Sequence, residues 1–413
     1  MMTRRSTLLA ATGLALLAGA GVAGPAAAAD QLVKIGVDAS LTGGDAQSAL
    51  LVKNGVIMAI DEANAAHTVP GVKFEAMVLD DGTATAGQYD PAQGAINARK
   101  MVADRAVMGA VGPQMSGVGK AMAPILSWGD LATITPSSTN PDLTDPKFAQ
   151  QYRPAGKPIY FRTVATDSYQ GPNMANYFAD VLKVKSVYML DDTGAYGEGL
   201  ANAFEAQAVR RGIKVLGHDK LDPKAADYSA VLTKIKQLNP DSLYYGGVMQ
   251  AGVKLVKQAY EILPHDMPKS GGDGLITPEM LTAAGFPAAE GWYCTNASPH
   301  VTEDPAAQDW VQRYKAKFNV LPDDYSITAY DGAEVIIDAV KRVAATGKPV
   351  TRDAVRDAIQ SAKVKTLQGT VSFDANGDIE DRVIAIFQVH HDAAFPVDDM
   401  IHQFKYIGVA PQA

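Results

Sequence analysis

Two segments of this sequence combine hydroxyl side chains with glycine or proline. Residues 112–117 read Gly-Pro-Gln-Met-Ser-Gly, and residues 136–141 read Pro-Ser-Ser-Thr-Asn-Pro. Each follows a short apolar run and precedes a predicted helix, where unpaired backbone N–H groups and the helix dipole favour an anion. Together they could hold a carboxylate with neutral donors. The alternative is that Ser116 and Ser138 merely cap their helices.

A second pair of residues offers the complementary chemistry. Asp273 lies among glycines in residues 271–274, which predicts a lone carboxylate in a loop with room around it. Tyr196 lies in another glycine-rich segment, residues 191–199, with little local core for its ring to join. An anion pocket facing Asp273 and Tyr196 matches the two charges of an amino acid zwitterion, because each buried charge must meet a partner.

Other polar clusters favour structural explanations. The aspartate pairs at residues 80–81 and 191–192 follow predicted strands, where acidic residues are common. The histidines at residues 390–391 have no third ligand at a metal-binding spacing, which predicts a solvated strand end. No nucleophile elbow, phosphate loop or His-Glu-x-x-His motif occurs. We therefore expect a protein that is not an enzyme and that uses neither a metal nor a cofactor.

Short apolar strands alternate with amphipathic helices along the chain, and the series restarts after residue 163. The predicted strands are residues 33–37, 74–79, 107–111, 131–135, 186–190, 213–216 and 242–245. One predicted helix spans residues 229–238. This alternation predicts an α/β protein with two doubly wound parallel sheets. Ligands of such sheets bind beyond the carboxyl ends of the strands, where the polar segments described above lie.

Composition narrows the class of protein. The chain has 413 residues, too many for one core, and a net charge of −8 that argues against a nucleic-acid partner. Its single cysteine, Cys294, excludes an intramolecular disulfide, and we expect a buried, inert thiol. After the N-terminal region, no segment is long and apolar enough to span a membrane, so we expect a chain that is not membrane-embedded. We also expect a monomer.

The N-terminus has the order of a secretory signal. Arg4 and Arg5 precede an apolar stretch at residues 8–23, and Ala27 and Ala29 fit the small-x-small rule for cleavage before residue 30. The alternative, a membrane anchor, requires about 18–20 apolar residues. The paired arginines also resemble a twin-arginine signal, and the general and twin-arginine export routes both stay open. We predict a cleaved signal peptide at residues 1–29.

The chain beyond residue 29 resembles the leucine/isoleucine/valine-type periplasmic binding proteins of ABC transporters. Short matching stretches, in order along the whole chain, support this resemblance. They are residues 41–43 (Leu-Thr-Gly), Gly55, residues 80–81 (Asp-Asp), residues 136–141, residues 196–200 (Tyr-Gly-Glu-Gly-Leu), residues 244–247 (Tyr-Tyr-Gly-Gly) and residues 373–378 (Phe-Asp-Ala-Asn-Gly-Asp). The resemblance implies two lobes that close on an amino acid, a periplasmic location and an inner-membrane ABC permease as partner.

The resemblance also implies roles for individual residues. Ser116 and Thr139 would bind the ligand carboxylate, and Ser137 would add a backbone contact. Asp273 would bind the ligand ammonium, where the family has an acidic residue, and Tyr196 would help to hold that side and close the cleft. Three further residues would line the pocket, namely Tyr325 at an aromatic wall position, Gln114 and Met115.

Two positions depart from the family pattern. Ser48 and Val248 stand where leucine-type members have aromatic residues that contact the ligand. Their loss reshapes the side-chain end of the pocket. Branched or other hydrophobic amino acids are the first expectation by resemblance, and an aromatic amino acid, an ω-amino acid or an aromatic carboxylate stays open.

The resemblance predicts a division of the chain into two lobes. We expect residues 30–163 with 296–378 in the N-terminal lobe, and residues 164–295 with 379–413 in the C-terminal lobe. Three crossover strands would join them, within residues 160–165, 293–297 and 369–382. Two other functions stay open: a ligand sensor for a signalling partner, and a secreted α/β hydrolase, for which no nucleophile–base pair is evident.

Overall fold

The fold is that of a computed structural model, which describes residues 30–412. The predicted signal peptide at residues 1–29 lies outside the described residues. The first part of the chain forms seven strands and four helices. They are β1 Gln31–Ala39, α1 Ala46–Ala65, β2 Val72–Asp80, β3 Gly82–Thr83, β4 Gln88–Tyr89, α2 Pro91–Ala103, β5 Val107–Val111, α3 Ser116–Trp128, β6 Thr133–Thr135, α4 Ala149–Tyr152 and β7 Tyr160–Arg162.

A second βα series comes next, and the chain then adds four helices, a hairpin and two last strands. The second series is α5 Asp167–Asp180, β8 Ser186–Asp191, α6 Ala195–Arg210, β9 Lys214–Lys220, α7 Ser229–Leu238, β10 Ser242–Gly246, α8 Met249–Ile262, β11 Lys269–Gly271 and β12 Tyr293–Asn296. The remaining elements are α9 Gln308–Phe318, α10 Asp324–Ala345, α11 Arg352–Gln360, β13 Lys363–Thr366, β14 Gly369–Ser372, β15 Ala385–Val389, α12 Met400–Gln403 and β16 Phe404–Val409.

The strands form two main sheets. The first has the order β2-β1-β5-β6-β7, and all its strands are parallel. The second has the order β16-β15-β12-β11-β10-β8-β9. The prediction of an α/β protein with two such sheets is confirmed. The second sheet is not purely parallel, however, because β15 runs antiparallel to both β12 and β16. We call the parts built on the first and second sheets the first and second lobes.

The chain passes between the lobes three times, and the passages contact one another. After β7, the Ala165 N–H donates to the Ala297 carbonyl at 2.7 Å, just beyond β12. The Arg162 N–H donates to the Gly377 carbonyl at 3.1 Å, in the segment between β14 and β15. The predicted crossovers thus lie side by side, which makes a hinge of three adjacent segments.

Helix α10 leaves the second passage and returns to the first lobe, where it packs against α1 and β5. It begins with a capping box, in which Asp323 Oδ1 accepts from the Ser326 N–H at 2.7 Å and Ser326 Oγ accepts from the Asp323 N–H at 3.2 Å. A Cβ on Gly55 of α1 would lie 2.2 Å from the Ser326 carbonyl oxygen. Only glycine permits this approach, which fixes the start of α10 and with it Tyr325.

Candidate ligand-binding site

The two hydroxyl-rich segments lie side by side at the carboxyl edge of the first sheet, after β5 and β6. Ser137 Oγ donates to the Gln114 carbonyl at 3.0 Å, and Ser116 Oγ accepts from the Asn140 N–H at 3.2 Å. Ser116 is the first residue of α3, whose N-cap is Met115, and no side chain caps that helix. The capping interpretation of Ser116 is therefore wrong, because its hydroxyl joins the two segments.

The second segment does not lead into a helix of the predicted kind. Ser138 caps no helix, since its hydroxyl donates to Ser116 Oγ at 3.4 Å. The segment leads only into the 3₁₀ turn Pro141–Leu143, which Asn140 caps by accepting from the Asp142 N–H at 3.1 Å. A turn of three residues has little dipole. The expectation of a helix dipole at this segment is wrong, because the proline at 141 and another at 146 keep the chain in short turns.

A buried arginine supports the second segment from below. Arg162 of β7 has a side chain that is 0% exposed. Its guanidinium donates to the carbonyls of Ser138 and Asn140 and, at 2.9 Å, to Thr144 Oγ1. Its Nε pairs with Asp378 Oδ1 at 2.7 Å. Arg162 thereby ties the segment at residues 136–141 to the third passage between the lobes, a role that the sequence did not reveal.

Asp273 enters from the second lobe on the turn after β11. Its Oδ1 accepts from the Tyr196 hydroxyl at 2.8 Å and from Gln170 Nε2 at 2.6 Å. The Tyr196 oxygen in turn accepts from the Gly274 N–H at 3.0 Å. Burial raises the pKa of Asp273, while hydrogen bonds from Tyr325, Gln170 and Tyr196 act in the opposite direction. The carboxylate is therefore fixed in position inside the protein.

The loop around Asp273 is closely packed, contrary to the expectation of room around the carboxylate. A Cβ on Gly272 would lie 2.4 Å from the Tyr196 hydroxyl, and a Cβ on Gly274 would lie 2.4 Å from the Gly247 carbonyl oxygen. The glycines therefore serve close packing of neighbouring backbone, which lets Asp273 meet Tyr196.

A second buried carboxylate stands behind Asp273. Gln170 of α5 bridges the two, because its Nε2 also donates to Asp167 Oδ1 at 3.0 Å. Burial and the nearby Asp273 raise the pKa of Asp167 to about 8. Burial therefore disfavours the charged form of both carboxyl groups. No sequence pattern pointed to Gln170 or Asp167, which lie on a helix after the first crossover.

A small cavity of about 30 Å³ lies between the two lobes and brings these groups together. Nine of the ten predicted site residues line it, and four others were not predicted. The lining residues are Asp45, Ser48, Gln114, Met115, Ser116, Ser137, Tyr196, Val248, Asp273, Gly274, Ile276, Thr277 and Tyr325.

Thr139 is the predicted residue that does not line the cavity. It is fully buried, and its carbonyl accepts from the Asp167 N–H at 3.0 Å. Its hydroxyl lowers the pKa of the Asp167 carboxyl. It thus lies behind the wall formed by Ser116 and Ser137.

The two positions that depart from the family pattern both lie in the cavity wall. Ser48 Oγ accepts from Gln114 Nε2 at 3.0 Å. The Val248 N–H donates to Asp192 Oδ2 at 2.9 Å, which fixes the end of β10. A hydroxyl and a small apolar group thus stand at the two positions where leucine-type members have larger rings.

Asp45 is the lining residue with the most unusual environment. It is buried just before α1, and burial, with Glu279 and Asp192 nearby, raises its pKa to about 7. Sequence reasoning missed it because the groups that surround it come from distant parts of the chain. Its place four residues after Leu41, within the first strand-to-helix loop, was the only signal that could have indicated it.

The other polar clusters have structural partners. Asp192 Oδ1 accepts from the Gly194 N–H at 3.0 Å, in addition to its bond with Val248. Asp81 Oδ1 accepts from the Ser40 hydroxyl at 2.6 Å. His390 Nδ1 lies 2.9 Å from Glu290 Oε1 at the surface. Cys294 is buried, and burial raises the pKa of its thiol.

Comparison with known proteins places the chain. Between residues 30 and 412, no helix is long and apolar enough to cross a membrane. A family model described as periplasmic binding protein matches residues 32–394. The Leu/Ile/Val-binding protein homolog 3 of Brucella melitensis is 33% identical over 376 residues, which is 91% of this chain and 96% of that protein.

Two further proteins are similar over almost the same extent. The leucine-, isoleucine-, valine-, threonine- and alanine-binding protein of Pseudomonas aeruginosa is 29% identical, over 92% of this chain and 95% of its own length. The crystal structure of a leucine-binding protein, LivK, from Thermotoga maritima has a TM-score of 0.77 and 25% identity, over 92% of this chain and 98% of that chain. The chain belongs to the periplasmic binding protein family, whose members bind solutes for ABC transporters and are not enzymes.

Proposed function

We propose that this protein is the solute-binding component of an ABC importer and captures an α-amino acid between its two lobes. One observation carries the proposal. Asp273, a buried carboxylate fixed by Tyr196 and Gln170, lines the same cavity as hydroxyl groups from the opposite lobe. A zwitterion meets an opposite charge at one end and neutral donors at the other, so neither of its charges is buried unpaired.

The proposal assigns a role to each wall of the cavity. Ser116 and Ser137 bind the ligand carboxylate, with Thr139 behind them as support. Asp273 and Tyr196 bind the ligand ammonium. Tyr325 forms the wall next to them, since its hydroxyl interacts with the Asp273 carboxyl. Gln114, Met115, Ser48 and Val248 surround the side chain. The similar proteins named for leucine, isoleucine and valine make branched aliphatic amino acids the first ligands to test.

The same proposal covers location and partners. The protein is exported with its N-terminal signal removed, works as a monomer in the periplasm, and delivers its ligand to an inner-membrane ABC permease. The lobes comprise residues 30–163 with 296–378 and residues 164–295 with 379–413. The assignment of strands to sheets supports this division. None of β1 to β7 belongs to the second sheet, which β8 to β12, β15 and β16 form.

Calorimetry of the purified mature protein against the twenty common amino acids tests the proposal. We expect at least one α-amino acid to bind with a micromolar or tighter Kd. Binding of a plain or aromatic carboxylic acid, with no amino acid binding, would remove the role proposed for Asp273.

The variant Asp273→Asn gives a sharper test. It keeps the shape of the side chain and removes the charge that the ligand ammonium meets, and breaking a buried ion pair costs about 3–5 kcal/mol. We expect the Kd for the bound amino acid to rise by roughly 100-fold or more. The matched carboxylate that lacks the amino group, such as 4-methylpentanoate for leucine, is the control, and its binding should not weaken. Equal losses for both ligands would contradict the assignment.

A further inference from the structure

Asp45 is the other carboxylate, besides Asp273, that lines the cavity. It is 2% exposed. The charged groups that act on its pKa are all acidic, namely Glu279, Asp192 and Asp81. No basic side chain is among them, so the chain itself supplies no counter-charge to Asp45.

Acceptors without donors mark this part of the cavity. Asp45 Oδ2 is buried and has no hydrogen-bond partner among the described residues. Gln114 Oε1, in the adjoining wall, is buried and equally unpartnered within residues 30–412, although Gln114 Nε2 donates to Ser48. Because a buried acceptor without a donor costs about 1–3 kcal/mol, two of them in one wall point to a donor brought by the ligand.

The two carboxylates have separate surroundings. Tyr196, Gln170 and Tyr325 act on Asp273, whereas Glu279, Asp192 and Asp81, from three separate segments, act on Asp45. The two sets share no residue. Met115, Val248 and Ile276 also line the cavity, and their apolar groups suit the methylene groups of a side chain. One ligand that contacts both carboxylates therefore meets an acid at two separate points.

A bound metal is not the source of the missing charge. In the part of the chain that the structure describes, no group of three or more His, Cys, Asp or Glu side chains could hold a metal ion. Glu279, the acidic group with the largest effect on Asp45, already accepts from the Gln47 N–H through its Oε1 at 3.2 Å.

We propose that the preferred ligand is a diamino acid, whose side-chain ammonium binds Asp45 while its α-ammonium binds Asp273. This inference rests on the proposed function and names the ligand class of the same site. It distinguishes this protein from a receptor for purely aliphatic side chains, in which an unpaired Asp45 would face methyl groups.

Matched ligands test the inference on the unaltered protein. 2,4-Diaminobutyrate and norvaline have nearly the same shape, as do ornithine and norleucine, and each pair differs by an ammonium in place of a methyl group. We expect the cationic member of at least one pair to bind 10-fold or more tightly by calorimetry. Tighter or equal binding of norvaline and norleucine would overturn the diamino acid assignment and leave the proposed function standing. If no member of either pair and no common amino acid binds, the proposed function itself fails.

The variant Asp45→Asn tests whether Asp45 causes the preference for the cationic ligand. It should reduce the advantage of the cationic ligand over its aliphatic partner to about 3-fold or less. An unchanged advantage would overturn the role of Asp45.

A second measurement needs no variant. Burial, with Glu279, Asp192 and Asp81 nearby, raises the pKa of Asp45 to about 7, so a cationic ligand favours loss of its proton at pH 7. Tyr89 and Tyr245 are the other titratable groups that interact with Asp45. Calorimetry in buffers of different ionisation enthalpy should show more proton release for diaminobutyrate than for norvaline. Equal proton release for the two ligands would contradict the inference.

Discussion

At the scale of single residues, the hydroxyl of Tyr196 is the group that connects the ligand site to its support. It donates to Asp273 Oδ1 and accepts from the Gly274 N–H. The variant Tyr196→Phe leaves both partners short of a bond, and a hydrogen bond to a charged group contributes about 1.5–3 kcal/mol. We therefore expect the Kd for the amino acid ligand to rise by roughly 10- to 100-fold, measured by calorimetry.

Tyr244 provides the matched control for this variant. It is fully buried and stacks on Phe204 at a ring separation of 3.8 Å, and its hydroxyl has no hydrogen-bond partner in the described part of the chain. Tyr244→Phe removes the same atom without breaking a bond, so its Kd should match that of the unaltered protein. Similar losses in the two variants would show that Tyr196 acts through packing.

Residue types at strand ends were enough to predict most of the cavity wall. Ser116, Ser137, Tyr196 and Asp273 follow strands whose carboxyl ends meet at the cavity, and the sequence indicates the strands before the first three. Asp45 and Gln170 could not be found in this way, because what matters for them is the set of partners that the other segments bring. Burial and pairing of charges depend on tertiary contacts, which local patterns do not contain.

At the scale of elements, Arg162 joins β7, the turns after β6 and the third passage between the lobes. Replacing its buried guanidinium, as in Arg162→Met, removes the donor to the carbonyls of Ser138 and Asn140 and the ion-pair partner of Asp378. Loss of one partner of a buried ion pair costs about 3–5 kcal/mol. We expect a lower melting temperature and, because the segment with Ser137 and Ser138 loses its support, weaker ligand binding.

Arg356 is the control at this scale. Its side chain is 2% exposed, and it pairs with Asp130 and with Asp357 of α11, outside the cavity wall. Arg356→Met should also lower the melting temperature but leave the Kd unchanged, as thermal unfolding and calorimetry together would reveal. An unaltered Kd in Arg162→Met would show that the segment after β6 keeps its shape without the arginine.

Helices and strands with a strong hydrophobic periodicity were predicted correctly, whereas the direction in which the last strands run was not. The helix predicted at residues 229–238 and the strand at residues 107–111 have the bounds observed for α7 and β5. The antiparallel strands β15 and β16 were not anticipated. A short run of alternating residues indicates a strand, but its direction depends on which neighbour it pairs with after the third passage.

At the scale of the whole molecule, the lobes are closed on each other by hydrogen bonds at the rim of the cleft. Gln250 Nε2 donates to the Ala86 carbonyl at 3.1 Å, and Asn140 Nδ2 donates to the Ala195 carbonyl at 2.7 Å. Each bond joins a residue of the first lobe to one of the second. We therefore expect a ligand to enter and leave the cavity only when the lobes separate.

A disulfide across the rim makes this claim testable. Ideal Cβ positions place Gly44 of the first lobe 3.6 Å from the Gln250 Cβ of the second, within the range of about 3.5–4.5 Å for disulfides. The native Cys294 is buried, which keeps it out of exchange with the new pair. We expect the oxidised double variant Gly44→Cys/Gln250→Cys, formed with ligand present, to release that ligand at least about 100-fold more slowly than the reduced form.

The same variant oxidised without ligand should bind none, and a thiol reductant should restore binding in both preparations. Either single variant, which cannot form the cross-link, controls for the substitutions themselves. Because the disulfide lies at the rim and replaces no residue of the cavity wall, its effect reports on lobe separation alone. Rapid ligand exchange in protein whose cross-link is verified by mass spectrometry would mean that the cavity fills by another path, and that closure of the lobes is not what holds the ligand.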